Sequence, residues 1–274
     1  MRDHRKRGSD PSAWNSVNLP FLRRLAVLAV LGVGACTPKE PPLDQYDAAG
    51  LLDRGMAAYR DREWSEAIRY LDHFVLENPT HPRVQEARYY LADAYFEREE
   101  YITAAGRFTR LAEDYPNGEW ADDARFKVCD AYRELAPEPT LDQQYTQAAI
   151  DHCQALIVYH PDSEHVAAAR EIVSTMENRL ARKAFLNGEF YARRDAFDSA
   201  LIYYESVLAR WPQSPAAPDA LRGMINAYER IGYEEEATAA RERLLRDYPE
   251  SPAARELAGR ESTTALTQPA PETR

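Results

Sequence analysis

Five segments with a similar order of apolar and polar residues each end in a proline. These prolines are Pro79, Pro116, Pro161, Pro212 and Pro249, and successive ones lie 37, 45, 51 and 37 residues apart. Because proline lacks an N–H group and clashes with the preceding turn, each one marks the end of a helix. The pattern predicts five consecutive helix pairs.

Small residues recur at two fixed positions in each pair. An alanine lies twelve residues before each proline, at Ala67, Ala104, Ala149, Ala200 and Ala237. Upstream of it, a small or apolar residue is followed by a tyrosine: Gly55 with Tyr59, Ala92 with Tyr95, Cys129 with Tyr132, Gly188 with Tyr191, and Ile225 with Tyr228. Such positions let two antiparallel helices approach closely, and their order matches the tetratricopeptide repeat. We therefore expect an all-α protein, an α-solenoid of about five tetratricopeptide-like helix pairs.

The two longest spacings locate additional structure. In the third repeat the insertion APEPTLDQ, residues 136–143, separates the two helices. Between Pro161 and Gly188 there is neither glycine nor proline, which predicts one long helix from about Ser163 to Arg193. We expect this helix to join repeats one to three, in residues 46–160, to repeats four and five, in residues 161–260. Residues 261–274 are expected to form a disordered tail.

The first 35 residues differ from the repeats. A basic stretch precedes an uncharged run at residues 25–35, which is shorter than the roughly 20 residues that span a bilayer. It has the length of the apolar region of a signal peptide. The run leads into VGAC at residues 33–36, which resembles the lipobox of bacterial lipoproteins. We expect residues 1–35 to be a signal peptide, Cys36 to carry the lipid, and residues 36–45 to form a tether.

Removal of this segment changes the charge of the protein. The 274-residue chain contains 34 Lys and Arg against 45 Asp and Glu, a net charge of −11. Six of the basic and two of the acidic residues lie in residues 1–35, so the chain from Cys36 onward carries −15. Proteins that bind nucleic acid need a basic face to displace counterions from phosphates. The acidic balance therefore argues against nucleic acid as a partner.

Two cysteines remain after Cys36, at Cys129 and Cys153. In an oxidising compartment they could form one disulfide bond. Cysteine is also common as a small apolar residue in helix packing. From the sequence, both interpretations stay open.

Catalytic signatures are absent from the sequence. There is no G-x-S-x-G motif, no phosphate-binding glycine loop and no C-x-x-C pair. Of the six histidines, His152 and His160 are spaced to share a helix face, but Pro161 separates them from His165 and no glutamate completes a zinc motif. We expect no catalytic residue, no metal site and no cofactor, and a protein that acts by binding.

The first helix of each tetratricopeptide pair lines a concave groove, and its inward positions follow from counting relative to the small residue. In repeats one and two the candidates are mainly apolar and aromatic: Leu52, Met56, Tyr59, Tyr89, Asp93 and Phe96. Such a surface suits an extended peptide with hydrophobic anchors. In repeats four and five the surface is mixed in charge and rich in arginine, with Arg182, Arg193, Arg222 and Arg230. That composition is typical of a docking face for a folded partner.

The combination of lipobox, short tether, five repeats and a long helix after the third resembles the BamD (YfiO) family. Members of that family are tetratricopeptide-repeat lipoproteins of the outer-membrane β-barrel assembly machinery. The resemblance extends over about residues 45–249. It is clearest in NPTHP at residues 78–82, in YPNGEWADDA at residues 115–124, and around residues 189–208.

The resemblance implies a scaffold held at the periplasmic face of the outer membrane by its lipid. Thr37, rather than aspartate, follows the lipidated cysteine, in keeping with transfer to that membrane. The N-terminal repeats would receive unfolded outer-membrane proteins. The C-terminal repeats would hold the POTRA domains of a BamA-like barrel protein, with Arg194 joining Arg193, Arg222 and Arg230 among the docking residues.

Two other interpretations stay open. One is a cell-division coordinator of the CpoB (YbgF) type, and the other is a scaffold subunit of an envelope export or peptidoglycan complex. The first family is soluble and carries a coiled coil before its repeats. The lipobox and the lack of heptads in this sequence argue against it.

Overall fold

The computed structural model describes the backbone of residues 41–267 and the side chains up to residue 260. The chain divides into one unit that ends at Gln45 and a second unit that begins at Tyr46. In the first unit, the described part is a short 3-10 helix at Leu43–Gln45. The expected signal peptide, Cys36 and residues 36–40 of the tether lie outside the described residues.

The second unit consists of consecutive α-helices joined by short turns. In the described part of the chain there is no β-strand, and the prediction of an all-α solenoid is confirmed. The helices are α1 Ala48–Arg60, α2 Trp64–Glu77, α3 Val84–Glu97, α4 Tyr101–Asp114, α5 Ala121–Leu135, α6 Gln144–Tyr159, α7 Val166–Ala192, α8 Phe197–Arg210, α9 Ala216–Ile231, α10 Glu234–Asp247 and α11 Pro252–Thr267.

Consecutive helices pack in pairs, and α11 covers the last pair. Each helix contacts its neighbours in the chain, and α11 lies against α9 and α10. In addition α1 contacts α3, α5 contacts α7, and α7 contacts α9. Because the helices on the inner side of a curved stack approach each other most closely, the first helices of the pairs line the concave face. Within the described residues, no helix is long and apolar enough to cross a membrane.

The turns of the repeats share two features. Each second helix ends two residues before the proline that marked it in the sequence. Between the two helices of a pair, one residue adopts a positive φ in four of the five repeats: Arg62 (61°), Glu99 (63°), Asp195 (56°) and Gly232 (80°). The third repeat departs from this rule because the insertion at residues 136–143 occupies its turn.

The small residues of the repeats lie where the two helices of a pair touch, as the sequence predicts. All five alanines of the second helices are fully buried. A Cβ atom on Gly55 would lie 2.7 Å from Leu71 Cγ, and one on Gly188 would lie 2.7 Å from Tyr204 Cδ1. The two helices therefore touch at a point where no larger side chain fits.

In the third repeat a covalent bond replaces this contact. Cys129 of α5 and Cys153 of α6 form a disulfide with a Cα–Cα distance of 4.9 Å, and both side chains are fully buried. The two alternatives that the sequence leaves open are thereby decided in favour of the bond. Its position agrees with the repeat register, because Cys153 follows Ala149 by four residues, as Tyr204 follows Ala200.

The long helix α7 takes part in two hydrophobic cores. Its first half contributes Ala169, Ile172 and Met176 to the core of the third repeat. Its second half contributes Ala184 and Phe185 to the core of repeats four and five. A single helix shared by two cores makes the third and fourth repeats one continuous structure. The predicted helix from Ser163 to Arg193 is thus observed within three residues at each end.

The insertion of the third repeat is held by α7. Arg179 Nη1 donates a hydrogen bond to the carbonyl oxygen of Pro137 at 2.7 Å, and Lys183 donates one to the carbonyl of Leu141. Gln143, at the end of the insertion, donates to the carbonyl of Glu138 at 2.9 Å. These bonds satisfy backbone acceptors that an unpaired loop would leave open.

The helix α11 corrects the expected boundary of the tail. It runs to Thr267, so the prediction of disorder is wrong for residues 261–267. The physical reason is that this segment contains no proline or glycine before Pro269, and it therefore continues the helix that packs on α9. Residues 268–274 lie outside the described part.

Candidate functional site

Three side chains from three successive repeats meet on the concave face of the N-terminal half. The hydroxyl of Tyr59 on α1 donates a hydrogen bond to Asp93 Oδ2 on α3. Lys127 Nζ on α5 lies 2.6 Å from Asp93 Oδ1, and the side chains of Lys127 and Asp93 are 22% and 7% exposed. A carboxylate so far removed from water needs such partners, because it would otherwise carry a large desolvation penalty.

The tyrosines beside this carboxylate are held in their neutral form. Burial is the largest cause that raises the pKa of Tyr59 above its usual value, followed by the hydrogen bond to Asp93. Burial also raises the pKa of Tyr89, and the charge of Asp93 adds to the effect. Both hydroxyls therefore remain hydrogen-bond donors throughout the neutral pH range.

Four aromatic side chains form a continuous run along the same face. Tyr59 and Tyr90 have ring centres 4.8 Å apart, Tyr90 and Trp120 are 5.6 Å apart, and Tyr89 and Trp120 are 4.6 Å apart. All four are half-buried. We call Tyr59, Tyr89, Tyr90 and Trp120 the aromatic run. It connects the first three repeats through side chains that are partly open to a partner.

Tyr90 and Trp120 are not among the groove residues predicted from the sequence. Counting along α3 gives Tyr89 and passes over its neighbour, although both rings contact Trp120. Trp120 is the N-cap residue of α5, so it lies outside the helical positions to which the count applies. The aromatic residue between Pro116 and the next helix was the available signal.

The predicted groove residues divide into accessible and inaccessible ones. Met56, Tyr59, Tyr89 and Phe96 are half-buried, so part of each side chain is accessible to a ligand. The ring of Phe96 lies 4.6 Å from the ammonium group of Lys127, so the apolar and the charged parts of the site are in direct contact.

Two predicted groove residues are not accessible. Leu52 is 2% exposed, and the expectation that it contacts a peptide is wrong. It precedes Gly55 by three residues and so lies on the side of α1 that packs against α2. Asp93 is 5% exposed, so its role is to hold Tyr59 and Lys127 rather than to contact a ligand directly.

A cavity opens beside the aromatic run. It has a volume of about 340 Å³. Its lining is formed by Pro82, Arg83, Gln85, Glu86, Glu119 and Trp120. Arg83 Nε pairs with Glu86 Oε2 at 2.6 Å, which leaves Glu119 as an exposed carboxylate without an ion-pair partner among the described residues.

His165 has a different environment from the one the sequence analysis considered. Its Nε2 atom lies 2.7 Å from Asp123 Oδ1, and its ring stacks on Phe126 at 4.5 Å with an interplanar angle of 4°. Asp123, Glu164 and His165 form the one group among the described residues whose side-chain ligand atoms are close enough together to hold a metal ion. In this group the imidazole and the carboxylate of Asp123 already pair with each other.

Three of the predicted docking arginines have free charges. Arg182, Arg193 and Arg194 are exposed, and no carboxylate in the described part of the chain pairs with them. The guanidinium of Arg194 lies 3.5 Å from the ring centre of Phe190, and that of Arg182 lies 5.0 Å from the ring centre of Phe185. We call Arg182, Arg193 and Arg194 the arginine surface.

The other two docking candidates are engaged within the chain. Arg222 pairs with Asp219 at 3.0 Å and with Glu256 of α11 at 3.3 Å. Arg230 pairs with Asp195 at 3.4 Å. A partner that binds these two arginines would have to compete with intramolecular ion pairs.

A stack of five helix pairs with an open groove along its first helices defines a solenoid of the tetratricopeptide class. The sequence matches the profile of the YfiO family, described as outer membrane lipoproteins, over residues 42–140 and 136–244. This chain belongs to that family.

Two relatives in sequence agree with this assignment. The outer membrane protein assembly factor BamD of Caulobacter vibrioides is 24% identical over 229 residues, which cover 80% of this chain and 73% of the relative. The protein of the same name from Vibrio cholerae is 24% identical over 212 residues, which cover 71% and 83%. Among solved structures, the TPR2AB domain of yeast Sti1 in complex with pHSP90 is 18% identical, covers 80% of this chain and 86% of its own, and has a TM-score of 0.42.

Proposed function

We propose that this protein is a lipid-anchored scaffold of outer-membrane β-barrel protein assembly, located on the periplasmic face of the outer membrane. Its N-terminal groove binds unfolded outer-membrane proteins. Its arginine surface docks the POTRA region of a BamA-like barrel protein. Family membership and the names of the relatives support the assembly role, and the VGAC sequence at residues 33–36 supports the anchor.

The observation that carries the proposal is the set of contacts by which Asp93 joins Tyr59 and Lys127. Because the three residues come from α1, α3 and α5, they hold three repeats in one register. The aromatic run shares Tyr59 with these contacts and presents half-buried rings in a row. Rigid aromatic side chains contribute large contact areas at a small cost in conformational entropy. An extended, unfolded segment with hydrophobic side chains is the kind of ligand that such a groove fits.

The arginine surface supports the second contact. In a chain that carries −15 from Cys36 onward, free guanidinium groups stand out from an acidic background. Arginine is enriched at protein interfaces, where it makes bidentate contacts with carboxylates. Acidic residues on the partner would both steer and orient its docking.

Purification of the complex tests this proposal. The tagged full chain is isolated from native membranes with mild detergent, and co-purifying proteins are identified by mass spectrometry. We expect a barrel protein with POTRA repeats to be recovered. The variant Arg193→Ala with Arg194→Ala should lose it, whereas Arg170→Ala, which removes an exposed arginine near the start of α7, should retain it. Absence of any such barrel protein from the wild-type preparation would sink the proposal.

A further inference from the structure

The ring of Tyr204 occupies a space that two glycines leave open. An added Cβ atom would lie 2.7 Å from Tyr204 Cδ1 at Gly188 on α7, and 2.6 Å from Tyr204 Cζ at Gly223 on α9. Tyr204 itself is fully buried. Because close packing on two sides fixes the ring, the position of its hydroxyl group is fixed as well.

This hydroxyl group binds a carboxylate on the first helix of the same repeat. Tyr204 Oη donates a hydrogen bond to Glu189 Oε1 at 2.6 Å. A buried hydroxyl group needs an acceptor, and a carboxylate is a strong one. The bond therefore holds the side chain of Glu189 toward α8.

Glu189 precedes Arg193 of the arginine surface by four residues, which is the spacing of ion pairs along a helix. The backbone N–H of Arg193 donates to the carbonyl of Glu189 at 3.1 Å, so the helical register extends to Arg193. A glutamate four residues before a basic residue is the favourable order for such a pair. Arg193 is exposed and nevertheless pairs with no carboxylate in the described part of the chain.

Other pairs with the same spacing show that this arrangement is exceptional. Along the described helices and their C-caps, an acidic residue precedes a lysine or arginine by four positions in four places, which begin at Asp123, Glu189, Glu242 and Glu256. In three of these places the basic side chain pairs with a carboxylate. Arg193 differs from the other three, and its glutamate is the one that a buried tyrosine hydroxyl binds.

We infer that Tyr204 is a positioning residue of the arginine surface. It holds Glu189 away from Arg193 and thereby keeps this guanidinium available for a carboxylate of the docking partner. The inference rests on the proposed function, because it takes the arginine surface as the docking face. Gly188 and Gly223 contribute to the same arrangement, since a larger side chain at either position would displace the ring.

Removal of the hydroxyl group should let the two charged side chains pair. Glu189 would then lose its acceptor role toward Tyr204 and be free to turn to Arg193. A carboxylate of the partner would have to replace Glu189 before it could bind. An exposed ion pair of this kind lowers the population of unpaired Arg193 about threefold.

The reactivity of Arg193 toward phenylglyoxal, a reagent that modifies guanidinium groups, tests this step without any partner. The rate is measured on the full chain in detergent micelles, by mass spectrometry of the peptide that contains Arg193. Tyr204→Phe, which keeps the buried ring, should slow the modification about threefold. Tyr204→Phe with Glu189→Gln should restore the rate of the wild type.

A matched tyrosine serves as the control. The hydroxyl group of Tyr228 also bonds to a glutamate, Glu205, but the residue four positions after Glu205 is an alanine. Tyr228→Phe should therefore leave the reactivity of Arg193 as in the wild type.

Docking measures whether the available guanidinium matters. The POTRA region of the barrel protein recovered with the wild type is titrated into each variant, and its Kd is determined by fluorescence anisotropy. Tyr204→Phe should raise the Kd about threefold, and the additional change Glu189→Gln should reverse the effect. If Tyr204 only supported the fold, a change of Glu189 would not reverse the loss.

The outcomes separate this inference from the proposed function. An unchanged rate at Arg193 in Tyr204→Phe, or a slow rate that persists in the double variant, would overturn the inference. A slower rate with an unchanged Kd would overturn its docking step. If the wild type binds no barrel protein, the proposed function is wrong, and the modification rates still decide whether Tyr204 keeps Arg193 unpaired.

Discussion

Cys129 and Cys153 are bonded to each other at the position where the next repeat brings Gly188 against Tyr204. In both repeats a residue of the first helix contacts the residue four positions after the buried alanine of the second helix, which is Ala149 in one repeat and Ala200 in the other. One repeat fills the contact with a glycine and a large ring, and the other with a covalent bond. The same geometric requirement, close approach of two helices, is thus met by two different chemistries.

Loss of this disulfide should destabilise the protein. The bond closes a loop between residues that are 24 apart in sequence, for which chain entropy predicts about 3 kcal/mol. Cys129→Ala with Cys153→Ala should lower the free energy of unfolding by about that amount in urea titrations. The wild type unfolded with a reductant should approach the variant. Equal stability of the wild type and the variant under oxidising conditions would contradict the assignment.

The contact between Gly188 and Tyr204 predicts that alanine substitutions at two glycines, Gly188 and Gly106, change the stability of the protein in opposite directions. Gly188→Ala forces a Cβ atom into the ring of Tyr204, and overpacking of this kind costs about 1–3 kcal/mol. Gly106, in the middle of α4, has no atom within 4 Å of an added Cβ, so Gly106→Ala should stabilise the protein by about 0.5–1 kcal/mol through helix propensity. Thermal unfolding of both variants measures the difference, and a stabilising Gly188→Ala would refute the packing.

Alkaline pH should weaken the fold through its buried tyrosines. Burial, together with hydrogen bonds to Asp93 and Glu189, raises the pKa values of Tyr59 and Tyr204 above the usual 10.0. Above pH 10 the unfolded chain therefore releases protons that the folded chain retains, and stability falls by about 1.4 kcal/mol per pH unit for each such tyrosine.

Urea unfolding between pH 8 and pH 11 checks this linkage. Tyr204→Phe should make the decline less steep, because phenylalanine has no proton to release. Tyr233→Phe, which changes a tyrosine that is 53% exposed, serves as the control and should leave the slope as in the wild type. The same slope in Tyr204→Phe and in the wild type would count against the buried hydrogen bond to Glu189.

The bond network of the groove predicts an asymmetric response to mutation. Lys127→Met removes the ammonium group and leaves the carboxylate of Asp93 buried with Tyr59 as its remaining partner. Removal of one partner of a buried ion pair leaves the other charge buried without compensation. We therefore expect the free energy of unfolding to fall by about 3 kcal/mol. The double variant Lys127→Met with Asp93→Leu should recover part of that loss. Chemical unfolding of the two variants gives the comparison, and a double variant less stable than the single one would argue against this explanation.

Much of the fold could be predicted from the sequence because its repeats are local. Proline and alanine at a fixed separation determine where each second helix ends and where it touches the first, and Cys153 falls on the same register. The groove was harder to predict, because its composition depends on contacts between repeats. Counting along one helix placed Leu52 in the groove, although its position relative to Gly55 directs it to α2. Counting also passed over Trp120, which precedes α5 rather than belonging to it.

The arginines show the same limit of local patterns. The sequence predicts both Arg193 and Arg222 as docking residues, but α11 supplies Glu256 as a partner for Arg222. Whether a charge is free depends on a helix that lies more than thirty residues away. A pattern within one repeat therefore identifies candidate docking residues, and only the packed structure separates the free ones from the paired ones.

The most direct test of the central claim, that the N-terminal groove binds unfolded outer-membrane proteins, is the affinity of the full chain for an aromatic-ended peptide. Tyr89→Ala with Phe96→Ala should weaken binding about thirtyfold, because two anchoring aromatic side chains that contribute about 1 kcal/mol each lose about 2 kcal/mol together. Phe190→Ala, which removes an aromatic ring that is 43% exposed in the C-terminal half, should bind as the wild type does. Unchanged affinity in the groove variant, with its fold intact by circular dichroism, would contradict the account.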